Sequence, residues 1–204
     1  MRELLIATKN PGKFREICEA LEGAPFLLIS LVDLKIDDSD FVEDGETFID
    51  NAVKKARYYY DKTGILSLGE DSGILVDALS GELGVKTRRW GAGENASDSE
   101  WLDFFMDRME GLENRGAKFI CSACVFGRDE EGLDICEKFF GETDGRISEK
   151  IETEILSGIP LSSCFIPDGF DRAYASLSVG EKNAISHRGK AMSKVKKFLF
   201  NFQT

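Results

Sequence analysis

The chain has 204 residues, enough for one large domain or for two lobes around a shared core. Its 42% hydrophobic and 31% charged residues suit a globular protein and exclude a disordered one. With 26 basic against 37 acidic side chains the net charge is −11, which argues against nucleic acid or an anionic membrane as partner, because those surfaces require a basic excess; a small anion held by a few local cations in a cleft is compatible with it.

The first residues, Met1-Arg2-Glu3-Leu4-Leu5-Ile6, run straight into a strand-like segment, without the long apolar stretch or cleavage site of a signal peptide. No segment reaches the ~20 apolar residues of a membrane span, so a cytoplasmic protein without a membrane partner is expected. Residues 4–7 read as a short buried strand and 8–12, punctuated by Pro11 and Gly12, as a turn. Phe14, Ile17, Cys18 and Leu21 then recur at helical spacing. Residues 26–32 read as a second strand and 41–46 as an acidic loop. Thr47 and Asp50 outline a capping box. The helix behind it carries Phe48, Ala52, Val53, Ala56 and Tyr60 along one stripe and ends at Gly64. Asn51 and Lys55, four apart, share a face of this helix, which alone reads as a solvated face.

Residues 65–68 form a short apolar run stopped by Gly69, and 74–79 form another. Ser97 and Glu100 outline a second capping box, opening a helix with Trp101, Leu102, Phe105 and Met109. Residues 117–126 and 133–140 flank 127–132 in the manner of a hairpin, and 145–151 can add a strand. Cys121 and Cys124 form a C-x-x-C inside the first of these runs. Five scattered cysteines do not make a disulfide framework, and with one histidine in the chain the pair reads as buried apolar side chains, not zinc ligands. A last helix starts after Ser186, with Ala191, Val195, Phe198, Leu199 and Phe202 on one face. Strands and helices interleave around a central hairpin, with no repeat or linker. That pattern predicts an α/β fold with a mixed sheet, as a single domain over residues 1–204.

Three polar clusters can carry chemistry. Thr8, Asn10 and Lys13 stand where a strand ends in a turn before a helix. Free N–H groups, the helix dipole and a lysine in the first turn suit a phosphate, although a solvated surface turn has the same composition. No P-loop motif occurs. Glu70-Asp71-Ser72-Gly73 follows one apolar run and precedes another. Carboxylates at the end of a buried strand cost desolvation energy unless a cation meets them. Magnesium takes one or two protein carboxylates with waters and phosphate oxygens, so Asp71 with the distant Glu43 suits that ion; Asp-Ser-Gly is equally common in turns. Ser186 is a natural N-cap, which sets His187 and Arg188 on the first helical turn beside exposed N–H groups that suit an anion. Lys182, slightly upstream, adds a cation. His187, the only histidine, reads either as structural or as part of such a site.

Taken in order, these pieces resemble the inosine triphosphate pyrophosphatases, enzymes that remove deaminated purine nucleotides. The matching residues span almost the whole chain: Thr8-Lys9-Asn10-Pro11-Gly12-Lys13 with Glu16, Glu43 before Gly45, and Thr47-Phe48 with Asn51-Ala52 and Lys55-Ala56. They continue through Asp71-Ser72-Gly73 with Val76-Asp77-Ala78-Leu79, Gly84-Val85 with Arg89, and Glu181-Lys182-Asn183 leading to Ser186-His187-Arg188. The resemblance implies an elongated twisted mixed sheet with helices, two lobes around a central cleft, and a homodimer. It also implies a purine nucleoside triphosphate as substrate, Mg2+ as cofactor, and conversion of ITP, dITP or XTP to the monophosphate and pyrophosphate. By motif, Thr8, Lys9, Asn10 and Lys13 bind phosphate. Glu43 and Asp71 hold the metal, and Asp71 also acts as general base towards water. Ser72, Arg89, Lys182, His187 and Arg188 line the nucleotide site.

One stretch departs from the family pattern. In place of a Gly-Phe-Gly-Tyr-Asp-Pro-type loop, residues 158–165 read Gly-Ile-Pro-Leu-Ser-Ser-Cys-Phe, so Leu161 replaces the aromatic that would stack on the base and Ser162 replaces the acid. Base–aromatic stacking is worth about 1–3 kcal/mol. Its loss predicts weaker or broader base recognition, with Trp90 as a substitute stacking surface. Two alternatives therefore stand beside the leading reading: the same chemistry with altered base preference, and a nucleotide-binding module without turnover.

Overall fold

The computed structural model describes residues 2–93, 95–129 and 131–202. Their strands are β1 (Arg2–Ala7), β2 (Phe26–Ser30), β3 (Ser67–Val76), β4 (Gly116–Arg128), β5 (Asp134–Ile147) and β6 (Phe165–Pro167), in one sheet of order β2-β1-β3-β4-β5-β6. Both neighbours of β1 run parallel to it, while β4, β5 and β6 continue antiparallel. This is the mixed α/β sheet expected from the interleaved pattern. The α-helices are α1 (Pro11–Ala20), α2 (Leu31–Leu34), α3 (Phe48–Thr63), α4 (Asp98–Met109), α5 (Val179–Ile185) and α6 (His187–Asn201).

Local chemistry accounts for the helix ends. Thr47 with Asp50, and Ser97 with Glu100, form reciprocal capping boxes on α3 and α4, and Gly64 closes α3 in the left-handed conformation at φ 70°. Ser186 caps α6 through the Gly189 N–H. The second expected strand is shorter than residues 26–32: the Ser30 hydroxyl accepts from the Val32 N–H, starts α2 and turns the chain out of the sheet. Helix α5, absent from the sequence reading, has its own Ser178–Glu181 box. The strand expected over 145–151 is the end of β5, which stops at Ile147. Asp129 closes the β4–β5 turn, accepting from the Leu133 N–H at 2.8 Å; Glu130 of that turn lies outside the described residues.

The largest difference is β3. Residues 65–68 and 74–79 do not form two runs around a turn. One strand runs from Ser67 to Val76, and Glu70, Asp71 and Ser72 sit in its middle, paired to Ala123, Ser122 and Cys121 of β4. The glycines that look like breaks are places of close approach. A Cβ on Gly69 would stand 2.1 Å from the Ala52 carbonyl oxygen, so α3 lies directly on β3 there. Gly141 does the same for α6, where a Cβ would stand 2.0 Å from the His187 carbonyl oxygen. The buried face of α3 therefore includes Asn51 and Lys55 beside Ala52 and Ala56; the solvated face expected for that pair is wrong.

On the β1 side, β3 is paired only from Ser67 to Gly69, because β1 ends at Ala7. From Glu70 onward that edge of β3 is open. A cleft lies there, beside the carboxyl ends of β1 and the turn into α1, the usual position for a ligand in α/β sheets. The core is split around it. Leu4, Ile6, Ile17, Val195 and Leu199 pack beneath α1 and α6, while Ile74, Trp101, Phe105, Phe119, Phe165 and Tyr174 pack at the other end.

Candidate active site

Strand alternation sends the adjacent carboxylates of Glu70 and Asp71 to opposite faces of β3. Asp71 points to α3, where its Oδ2 accepts from the Asn51 amide at 2.9 Å; its Oδ1 accepts from the Ser72 N–H at 2.9 Å. The Asn51 carbonyl oxygen in turn accepts from the Gly45 N–H at 2.8 Å, so one buried amide fixes Asp71 and the loop that carries Glu43. Lys55, also buried, pairs with the Glu43 carboxylate and donates to the Glu70 carbonyl at 3.1 Å. Arg89 donates to the Glu43 carbonyl oxygen at 3.0 Å from the rim.

Glu70 points to α1 and α6. Its Oε2 meets Lys13 Nζ at 2.9 Å, and its Oε1 meets Arg188 Nη2 at 3.1 Å and Nε at 3.2 Å. Arg188 is only 4% exposed. Its guanidinium also pairs with Glu16 and donates to Ser72 Oγ at 2.8 Å. Glu16 binds Lys182 at 2.5 Å as well. Lys13 lies 3.9 Å from Asp71 Oδ1 and so touches both faces of β3 at its open edge. The hydrogen-bonding capacity of Arg188 is thus largely met by protein carboxylates, which makes it a rigid wall of the cleft. Glu16 and Glu70 hold it there. The sequence reading expected a cation against Glu70 without naming Lys13 and Arg188, and gave Glu16 no role beyond its place in the family pattern, although Glu16 lies three residues after Lys13, a spacing that puts both on one helix face.

The cations and burial set the protonation states. Burial works to raise the Glu70 carboxyl, but Lys13 and Arg188 overcome it and hold the group well below the ordinary range. Glu16 is likewise lowered by Arg188 and Lys182 against burial, and Glu43 by Lys55 against burial. Asp71 goes the other way: burial raises it in spite of Lys13, Lys55 and the Asn51 hydrogen bond. Burial lowers Lys13, but Glu70 and Asp71 more than compensate, so it stays an ammonium. His187 is pushed well below its usual range by burial and by Arg188, so the imidazole is neutral.

The cleft is a cavity of about 540 Å³, within the usual size range for small-molecule sites. The residues expected to bind phosphate, metal or nucleotide all line it: Thr8, Lys9, Asn10, Lys13, Glu43, Asp71, Ser72, Arg89, Lys182, His187 and Arg188. Their freedom differs. Asn10 is committed to structure, its Oδ1 capping α1 at Lys13 N (2.9 Å) and its Nδ2 donating to the Gly158 carbonyl at 2.8 Å. Lys9 is largely exposed and paired with Asp38. The turn therefore offers phosphate mainly its backbone, Thr8 and Lys13.

The other end is aromatic. His187 stacks on Phe119, with centroids 4.6 Å apart and planes 9° apart, and Tyr174 stacks on Phe119 at 5.9 Å. Lys182 Nζ lies 5.7 Å from the Tyr174 ring centroid and 3.5 Å from Ser162 Oγ. Leu161 is buried in the adjoining core. Trp90 does not line the cavity, so it offers no stacking surface there; it packs edge-on to Phe104 and Trp101 at 5.2 and 6.4 Å.

Fold and cleft together define an α/β protein whose strand ends carry a deep pocket, charged at one end and aromatic at the other. The sequence profile of the Ham1 family matches residues 4–198, and the chain belongs to that family. It is 37% identical to a dITP/XTP pyrophosphatase of Geobacter sulfurreducens, over 98% of this chain and 97% of that protein. It is 36% identical to a dITP/XTP pyrophosphatase of Bacillus licheniformis, with 98% of each covered. Among solved structures it is similar to a HAM1 protein from Coxiella burnetii (TM-score 0.81, 30% identity, 99% of this chain and 100% of that one). The Ham1 protein of Staphylococcus aureus is comparable, with a TM-score of 0.79, 29% identity, and 98% and 99% coverage.

Proposed function

We propose that this protein hydrolyses noncanonical purine nucleoside triphosphates, dITP, ITP and XTP, to the monophosphate and pyrophosphate. The observation that carries the reading is Asp71. It is a buried carboxylate with a raised pKa, oriented by Asn51, beside the Lys13 and Lys55 cations and at the charged end of a pocket whose other end is aromatic. The named activity of the Geobacter and Bacillus relatives supports it.

In this reading Lys13, Lys55 and the N–H groups of the turn before α1 hold the phosphates, and the base enters between Phe119, Tyr174, His187 and Lys182. Asp71 accepts a hydrogen bond from water and takes its proton as it attacks phosphorus. A carboxylate raised by burial is the stronger base, and Asn51 leaves lone pairs free on both oxygens. Magnesium fits the donor set. Two carboxylates, Glu43 and Asp71, share the cavity and the neighbouring cations, and no cluster of three or more His, Cys, Asp or Glu able to cage a metal occurs among the described residues. That set matches an ion that takes one or two protein carboxylates and fills its shell with water and phosphate oxygens. When bound, the ion neutralises charge on the phosphates.

Pyrophosphate release from a panel of triphosphates, with and without magnesium, tests the reading. Selective release from dITP and XTP is expected. Equal rates on ATP and GTP would favour altered base preference, for which the buried Leu161 is the supporting observation. Binding without release would leave a nucleotide-binding module. No described helix is long and apolar enough to cross a membrane. A cytoplasmic homodimer is the arrangement that accompanies this reading; sedimentation equilibrium tests the dimer.

A further inference from the structure

We propose that Asp98 is a positioning residue for this reaction: from outside the cavity it holds the Gly158 peptide, and through that peptide it sets the base-binding end of the cleft in register with the phosphate-binding end. The inference rests on the reading of the cleft as a purine nucleoside triphosphate site and adds to it the group that fixes the spacing of its two ends.

Gly158 lines the cavity, and both of its backbone polar groups are taken by side chains of other elements. Its N–H donates to Asp98 Oδ2 at 2.6 Å, and its carbonyl oxygen accepts from Asn10 Nδ2 at 2.8 Å. Asn10 also caps α1 at Lys13 N, so the carbonyl side is tied to the phosphate turn. Asp98 opens α4, so the N–H side is tied to the helix that sends Trp101 and Phe105 into the aromatic core. The joint has no slack. Gly158 sits at φ 78°, in the left-handed region that glycine adopts freely, and a Cβ there would stand 2.3 Å from Asn10 Oδ1. On the facing turn, a Cβ on Gly12 would stand 2.5 Å from the Ser157 carbonyl oxygen.

The residues after Gly158 move with it. They form a short helical turn, Pro160–Ser163. The Ser162 N–H donates to the Ile159 carbonyl at 3.1 Å, and the Ser163 hydroxyl donates to the Pro160 carbonyl at 2.7 Å. This turn brings Ser162 Oγ to 3.5 Å from Lys182 Nζ, which lies 5.7 Å from the Tyr174 ring centroid at the aromatic end. A shift of Gly158 therefore moves groups at the base end relative to Lys13. Asp98 does not line the cavity, so it acts on a ligand through Gly158. Arg88, half-exposed at the rim, lies 3.6 Å from Asp98 Oδ1; a pair so long and open is weak and leaves Oδ2 to the loop. Each end of the cleft can bind its own fragment whatever the spacing. An intact nucleotide gains from both ends only when the spacing is right.

The test compares the whole ligand with its parts in Asp98→Ala, which removes the acceptor. The Kd of α,β-imido-dITP, read by calorimetry, is expected to rise about 10- to 100-fold, with kcat/KM for dITP falling in step, while inorganic tripolyphosphate and deoxyinosine each bind within about 2-fold of wild type. Asp98→Asn keeps an oxygen that accepts from the Gly158 N–H and is expected to recover most of the loss; Asp98→Ser is too short to reach and is not. An unchanged Kd for the intact analogue overturns the assignment of Asp98. So does a weakening of tripolyphosphate and deoxyinosine equal to that of the analogue in both Asp98→Ala and Asp98→Ser, because that pattern marks a structural role. A wild-type protein that releases no pyrophosphate from any triphosphate overturns the proposed reaction instead, and calorimetry with the analogue still decides Asp98 because it needs no turnover.

Discussion

Replacing Glu70 by glutamine keeps the shape of a side chain that is 1% exposed and removes only its charge. Lys13 then loses a carboxylate at 2.9 Å and keeps Asp71 at 3.9 Å, while Arg188 keeps Glu16 and an amide oxygen in place of the carboxylate. Removing one partner of a buried ion pair costs roughly 3–5 kcal/mol. The retained partners put this case at the low end, about 3 kcal/mol at pH 7, or about 6–12 °C in Tm for a chain of this size. The pH dependence makes the expectation sharper. The folded-state pKa of Glu70 is depressed by Lys13 and Arg188 against burial. Its stabilisation is therefore fully present above the unfolded value of 4.5 and is lost as pH falls towards the folded value. Each pH unit below 4.5 removes about 1.4 kcal/mol, so the gap between wild type and Glu70→Gln narrows by about 2 kcal/mol by pH 3. Urea unfolding at pH 7 and at pH 3 measures both. A gap under about 1 kcal/mol at pH 7, or one of equal size at the two pH values, would refute the view that Glu70 is the ionised anchor of Lys13 and Arg188.

Asp71→Asn is expected to lower kcat by about 10²–10⁴ while nucleotide affinity, read by calorimetry, changes only a few-fold; turnover above roughly a tenth of wild type contradicts the base assignment. Because burial raises Asp71 in spite of Lys13 and Lys55, its carboxyl in the metal-free protein should titrate above the ordinary aspartate value of 3.8, read by 13C NMR, and a value at or below it counts against this environment for Asp71. Gly69→Ala puts a Cβ 2.1 Å from the Ala52 carbonyl oxygen and 2.7 Å from the Ala56 nitrogen, so α3 must shift. The expected loss is about 3 kcal/mol together with lower kcat/KM, as Asn51 and Lys55 move with the helix; an unchanged denaturation midpoint would show that α3 yields freely. Leu161→Tyr restores an aromatic at a position that is 5% exposed. It should cost about 1–3 kcal/mol by overpacking, and an unaltered Tm with a lower KM for dITP would show that the loop opens to admit the ring.

The elements read most cleanly from sequence are those with local causes. The boxes at Thr47–Asp50 and Ser97–Glu100 and the cap at Ser186 depend on side chains three residues from the groups they satisfy, and the stop at Gly64 on a left-handed backbone that glycine adopts freely, so short stretches of chain reveal them. Where local signals were misread they were still present: Ser30 caps α2 and Ser178–Glu181 boxes α5. Asn51 and Lys55 could also have been placed, because each adjoins an alanine of the buried stripe.

The order of elements, the helix ends and the identity of the charged residues are properties of short stretches of chain, and so was the resemblance that they spelled out. The continuity of β3 is of another kind. Gly69 looks like a break until α3 is packed against the strand, and Gly73 until the Gly84 carbonyl and the Thr87 hydroxyl are brought against it; only that packing explains why a residue without a side chain stands at each place. The same holds for the division of labour between Glu70 and Asp71. They are neighbours in the chain, but the pleat turns one towards Lys13 and Arg188 and the other towards Asn51, giving one a lowered and the other a raised pKa. Desolvation and charge pairing depend on groups 20 to 118 residues away, so the tertiary structure alone decided which carboxylate anchors the cleft and which is left to meet water.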